Sequence, residues 1–113
     1  MAERTMAIFK KGVPIFTILQ DENRQRILVM LCRTDQMTVN QITAQIALSR
    51  PAVSHHLKLM LDAGILAVSK TGTERYYRAN MTATLKLLKA LTASLEARFS
   101  PYSVCRRIKT ESE

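Results

Sequence analysis

Cysteine is scarce in this 113-residue sequence, and its scarcity excludes two classes of protein. Only Cys32 and Cys105 occur. Two thiols so far apart make no disulfide framework of the kind that staples small secreted domains, and no Cys-x-x-Cys pair is present. Tryptophan is absent and aromatic residues are few, so no platform for stacking unpaired RNA bases is visible. No apolar run approaches the roughly 20 residues needed to cross a bilayer. The N-terminus MAERTMAIFKKG lacks the apolar core and small-residue cleavage site of a secretory leader. The expectation is a cytoplasmic protein without membrane association. Glycine and proline number three each, and the chain has neither repeats nor low-complexity stretches. Its length supports one domain with a core of its own.

Acidic residues are the other deficit. Lys and Arg number 17 against nine Asp and Glu, a net charge of +8. Between Asp35 and Asp62 there is no acid at all, although that stretch holds Arg50, Lys58 and both histidines. Lys70, Arg75 and Arg78 follow against a single Glu74. Such a balance points to a polyanionic partner, a solvated basic face being the plainer alternative.

The start and stop signals of helices divide the chain. A first element from about Ala2 to Lys11 is expected to break at Gly12, with Pro14 opening a new piece, because proline suits a first helical turn. Asp21 caps the next helix, ENRQRILVMLCRT, whose inward residues read as Ile27, Leu28, Leu31 and Cys32. Thr38 with Gln41 forms a capping box, and Met37 and Ile42 a hydrophobic staple, for a short helix carrying Val39, Ile42 and Ile46. Ser49 begins another, with Pro51 in its first turn and Gly64 ending it. Two β-rich runs, ILAVS and ERYYRA, are joined through Gly72, and a last amphipathic helix runs from Thr82 to about Phe99. The order helix, helix, helix, helix, hairpin, helix describes a mainly α fold with a small β-hairpin. It is a winged helix-turn-helix.

The stretch LSRPAVSHHLK, residues 48–58, carries the functional signal. At about 100° per residue with Arg50 at zero, Val53, Leu57 and Met60 fall between roughly 280° and 340°, the core face. Pro51, Ser54, His55, Lys58 and Asp62 fall between roughly 40° and 140°, the open face, while His56 near 240° turns inward. His56 therefore reads as a structural, partly buried imidazole with one hydrogen bond. Arg50, Ser54, His55 and Lys58 make a surface of donors on the first two turns, the end that enters a major groove in helix-turn-helix proteins. Arginine bonds guanine with two donors, serine reads a base edge or a phosphate, and Lys58 is placed for phosphate. Catalysis would need groups converging in a pocket, and two adjacent histidines on different sides of a helix do not converge. They fail as a metal pair for the same reason. No enzyme activity, metal or cofactor is expected.

ILQDENRQRILVMLC, LSRPAVSHHLKLMLDAGIL and RYYRA together resemble the ArsR/SmtB family of winged-helix repressors over about residues 15–99. The resemblance implies a homodimeric repressor of a palindromic operator, dimerising through its first and last helices. It implies DNA contacts at Arg50, Pro51, Ser54, His55 and Lys58, and wing contacts at Lys70, Thr73 and Arg75. On that pattern residues 1–20 form an N-terminal helical segment and 21–80 the DNA-binding core. A dimerisation helix occupies 81–100 and a basic tail 101–113. The last helix supports dimerisation directly: Met81, Leu85, Leu88, Leu91, Leu95 and Phe99, widened by Leu87, make an apolar face broader than a thin domain covers.

Departures from the family pattern matter as much. Where many members place a metal-binding Cys-x-Cys, this chain has Thr38, Val39 and Asn40, and its last helix has no histidine and only Glu96 as an acid. Known metal-sensing sites lack their ligands here. Some relatives respond to oxidants by joining a cysteine after the Ile-Leu helix to one near the end of the last helix. Cys32 occupies the first place and Cys105, flanked by Arg106 and Arg107, stands later than the second. Neighbouring cations raise thiol reactivity, whereas a buried Cys32 would be inert packing. The alternative function is a winged-helix module that binds an acidic protein, with no specific DNA recognition.

Overall fold

The computed structural model describes residues 2–98. Phe99, Cys105 and the tail 101–113 lie outside the described residues. Five helices and one hairpin follow in order: α1 (Ala2–Ile18), α2 (Glu22–Cys32), α3 (Val39–Thr43), α4 (Arg50–Asp62), β1 (Leu66–Thr71), β2 (Glu74–Ala79) and α5 (Thr82–Arg98). This is the expected winged helix-turn-helix.

The expected break at Gly12 does not occur. Helix α1 runs through Gly12 and Pro14 without interruption. Gly12 is buried, and a Cβ there would stand 2.7 Å from a ring carbon of Phe16 and 3.0 Å from Leu87 Cδ2 on α5. Glycine here serves a close approach between α1 and α5 rather than a stop. Pro14 withholds one helical N–H where the helix is at the surface, Pro14 and Lys10 both being exposed. Thr5 and Ser94 share a hydroxyl hydrogen bond across the same pair of helices. Tertiary packing overrides the local signal.

Helix α2 is capped by Asp21, whose carboxylate accepts from the Arg24 backbone N–H at 3.1 Å. Ile27 and Leu31 are buried and Leu28 half-buried, as expected. Cys32 is exposed, contrary to expectation. One residue past Leu31 the chain has turned about 100°, and α2 ends there, so nothing packs over the thiol.

Both following helices keep their local signals. The Thr38–Gln41 capping box is complete, with Gln41 Oε1 accepting from the Thr38 N–H at 2.9 Å. Ser49 Oγ accepts from the Ala52 N–H at 3.3 Å. Helix α4 closes in a Schellman motif: Ile65 N–H bonds to Met60 O and Gly64 N–H to Leu61 O, with Gly64 at φ +83°. Ile65 and Met60, the apolar pair of that motif, are fully buried.

The hairpin pairs Leu66 with Ala79 through Thr71 with Glu74. Gly72, at φ +64°, takes the first of the two loop positions, as a type II′ turn requires. Met37 adds a pairing that sequence patterning did not indicate. Its N–H bonds to Tyr77 O at 2.9 Å, and its carbonyl accepts from Tyr77 N–H at 2.8 Å. Met37 and Tyr77 close the core over Ile27, Leu31, Ile42, Val53, Leu57, Met60, Ile65 and Leu66. Among the described residues no helix is long and apolar enough to cross a membrane.

Candidate nucleic-acid interface

The apolar stripe of α4 fixes which of its sides looks outward. Val53, Leu57 and Met60 are fully buried, while Arg50, Pro51, Ser54, His55 and Lys58 are exposed. Each residue lies on the face that helical periodicity assigns it. On the wing, Lys70, Thr73 and Arg75 are exposed as well.

These exposed groups are not all brought together. A groove of about 560 Å³ between α3, α4 and the wing is lined by Arg50, Ser54 and Lys58 from α4 and by Thr73 and Arg75 from the wing. Pro51, His55 and Lys70 lie outside that lining. The groove includes one acid, Glu74, against Arg50, Lys58 and Arg75. Its net charge therefore favours an anion.

Asn40, on α3, also lines the groove and was not singled out by sequence reasoning. Its side-chain carbonyl accepts from Arg50 Nε at 2.9 Å. Nothing local marks such a pair, because the two residues belong to different helices. The neutral Thr38-Val39-Asn40 segment was visible only as lacking thiols.

His56 is half-buried and turned inward. Its Nδ1 accepts from Arg24 Nε at 3.2 Å, and Arg24 Nη1 also donates to Ile18 O at 3.2 Å. One guanidinium thus ties the end of α1 and the start of α2 to the back of α4. The Arg24 backbone N–H, followed by its nearby charge, holds the Asp21 carboxyl below its ordinary value of 3.8. His55 and His56 rings are 6.2 Å apart and tilted by 50°, with no shared partner among the described residues. Among the described residues no three His, Cys, Asp or Glu side chains are grouped to hold a metal ion.

The sequence model described as bacterial regulatory protein, arsR family, matches residues 21–68. The arsenical resistance operon repressor of Bacillus subtilis is 30% identical over 80 residues, which cover 71% of this chain and 76% of that protein. The chain belongs to the ArsR family. An HTH-type transcriptional regulator of Methanocaldococcus jannaschii is 33% identical over 72 residues, covering 64% of this chain and 81% of that one. Among solved structures, an ArsR-like transcriptional regulator from Rhodococcus sp. RHA1 aligns with a TM-score of 0.75 at 24% identity, over 96% of this chain and 97% of that one. At that identity the likeness establishes the fold. As a member of the ArsR family the protein is a DNA-binding transcriptional regulator and not an enzyme.

Proposed function

We propose that this ArsR-family protein is a homodimeric repressor that binds a palindromic operator through the helix Ser49–Ala63 and the wing 66–79. The observation that carries the reading is the joint lining of one groove by Arg50, Ser54 and Lys58 with Thr73 and Arg75. Arg50 and Ser54 are placed to read bases, as is the exposed His55; Lys58, Arg75 and Lys70 are placed to hold phosphates. Pro51 shapes the first turn of α4 where it meets the duplex.

Dimerisation is supported by apolar side chains that one chain leaves in water. Leu85, Leu88 and Leu95 on α5 are 48%, 39% and 41% exposed, and Met6, Phe9 and Val13 on α1 are 66%, 40% and 54% exposed. Each set follows helical spacing, so each makes one face. The two helices already pack together within the chain. A second copy would cover both.

Replacing Ser54 and His55 together by alanine is expected to reduce the preference for the operator over unrelated duplex while leaving general DNA affinity nearly intact. The log–log salt slope should also stay the same, because the phosphate contacts remain. Titrations of both duplexes at several salt concentrations check this. Equal loss on the two duplexes would remove base reading by α4, and no duplex binding at low salt would favour the protein-binding module.

Oxidant response is a finer part of the proposal, supported by the exposure of Cys32. The full chain, with Cys105 present, should bind its operator differently in reductant and in oxidant, and Cys32→Ser should abolish the difference. Identical binding under both conditions would end this part of the proposal and leave the rest in place.

A further inference from the structure

The contact between Asn40 and Arg50 has the form of a device for sequence discrimination. An arginine side chain has several rotatable bonds and five N–H donors, and it approaches guanine either side-on through Nε and one Nη or end-on through both Nη groups. In this structure Nε is already engaged by the Asn40 carbonyl oxygen at 2.9 Å. The terminal pair is left for a base. Among the described residues no carboxylate lies within ion-pair distance of Arg50 to compete for it. Asn40 belongs to α3 and Arg50 opens α4, so the contact fixes the guanidinium relative to both helices of the helix-turn-helix. Both residues line the same groove as Ser54.

We infer that Asn40 is a specificity-determining positioning residue: it holds the Arg50 guanidinium so that its two terminal nitrogens meet a guanine end-on. The inference rests on the reading of α4 as the base-reading helix. A pre-oriented arginine loses less freedom on binding, and the gain falls on the one base pair that matches its direction. A freely rotating arginine would bond phosphates and bases with less preference.

The test uses the full chain and the operator it selects from a random duplex pool, together with duplexes in which each guanine of a half-site is changed in turn to adenine. For the wild type, one such change should weaken binding by about 5- to 150-fold, the range of a bidentate arginine–guanine contact. Asn40→Ala should shrink that penalty severalfold while affinity for unrelated duplex is unchanged. The variant should fold, because Thr38 rather than Asn40 caps α3 and alanine favours helix. Asn40→Gln keeps a neutral amide oxygen as an acceptor for Nε, so it should recover part of the discrimination at that guanine without changing the charge of the groove. Arg50→Ala should remove the same preference outright. An unchanged guanine penalty in Asn40→Ala, or a uniform loss on all duplexes, overturns the role of Asn40. If Arg50→Ala leaves every guanine preference in place, arginine reading itself fails and the inference falls with it. If only the Asn40 variants fail to respond, the reading of α4 survives without it.

Discussion

Leu88→Lys combined with Leu95→Lys is expected to turn the protein into a monomer and to weaken operator binding by about 10²- to 10⁴-fold, the gain that linking two binding sites ordinarily supplies. Both leucines are about two-fifths exposed on one chain, so lysine stems can lie along the helix with their ammonium groups in water. The fold of the single chain should persist. Across a subunit interface the same ammonium groups would be taken out of water without a partner, and that burial is unfavourable. Light scattering would give the mass, circular dichroism the helix content, and titration of whole operator against a single half-site the affinities. Half-site binding should change little. A folded variant that stays dimeric would move the interface elsewhere, and a monomeric variant that binds the full operator undiminished would remove the two-subunit mechanism.

The second large effect separates folding from recognition at adjacent positions. Leu57 is fully buried on the inner face of α4, and Lys58 is exposed on its outer face. Leu57→Ala should destabilise the protein by about 2–5 kcal/mol through lost transfer energy and the cavity left behind. Domains of this size are stable by only about 5–15 kcal/mol in all. The thermal midpoint should therefore fall by at least about 10 °C at matched protein concentration. Lys58→Ala should change stability by no more than about 0.5 kcal/mol. It should instead weaken binding to all duplexes alike and lower the salt slope by about one. Melting curves and salt titrations on the two variants decide the matter. Similar stability losses in both would mean that α4 is rotated from the orientation described.

What the sequence made legible was written in short range. Asp21, the Thr38–Gln41 box, Ser49, Gly64 and Gly72 each act on a backbone within a few residues, and each stands where its pattern placed it. The orientation of α4 was legible for the same reason: alternation of Val53, Leu57 and Met60 with Ser54, His55 and Lys58 is a local periodicity. Apart from Cys32, the departures involve partners distant in sequence. Gly12 reads as a breaker until Leu87 arrives beside it. Cys32 reads as core because it follows Leu31, but helix geometry turns it outward once the helix stops. Arg24 with His56 and Asn40 with Arg50 join side chains from different helices. Only assembled tertiary structure reveals such pairs.

The paired backbone bonds between Met37 and Tyr77 have a mechanical effect on how the protein meets a duplex. They pin the root of the hairpin to the buried core, while residues 71–75 of its outer end are exposed. Bending of the hairpin is therefore expected in its outer half, where Thr73 and Arg75 reside. In the proposed mode of binding, that arm would follow local variation in duplex width above the buried residues that support Arg50 and Ser54. On that proposal, compliance and discrimination would fall to separate parts of one small scaffold.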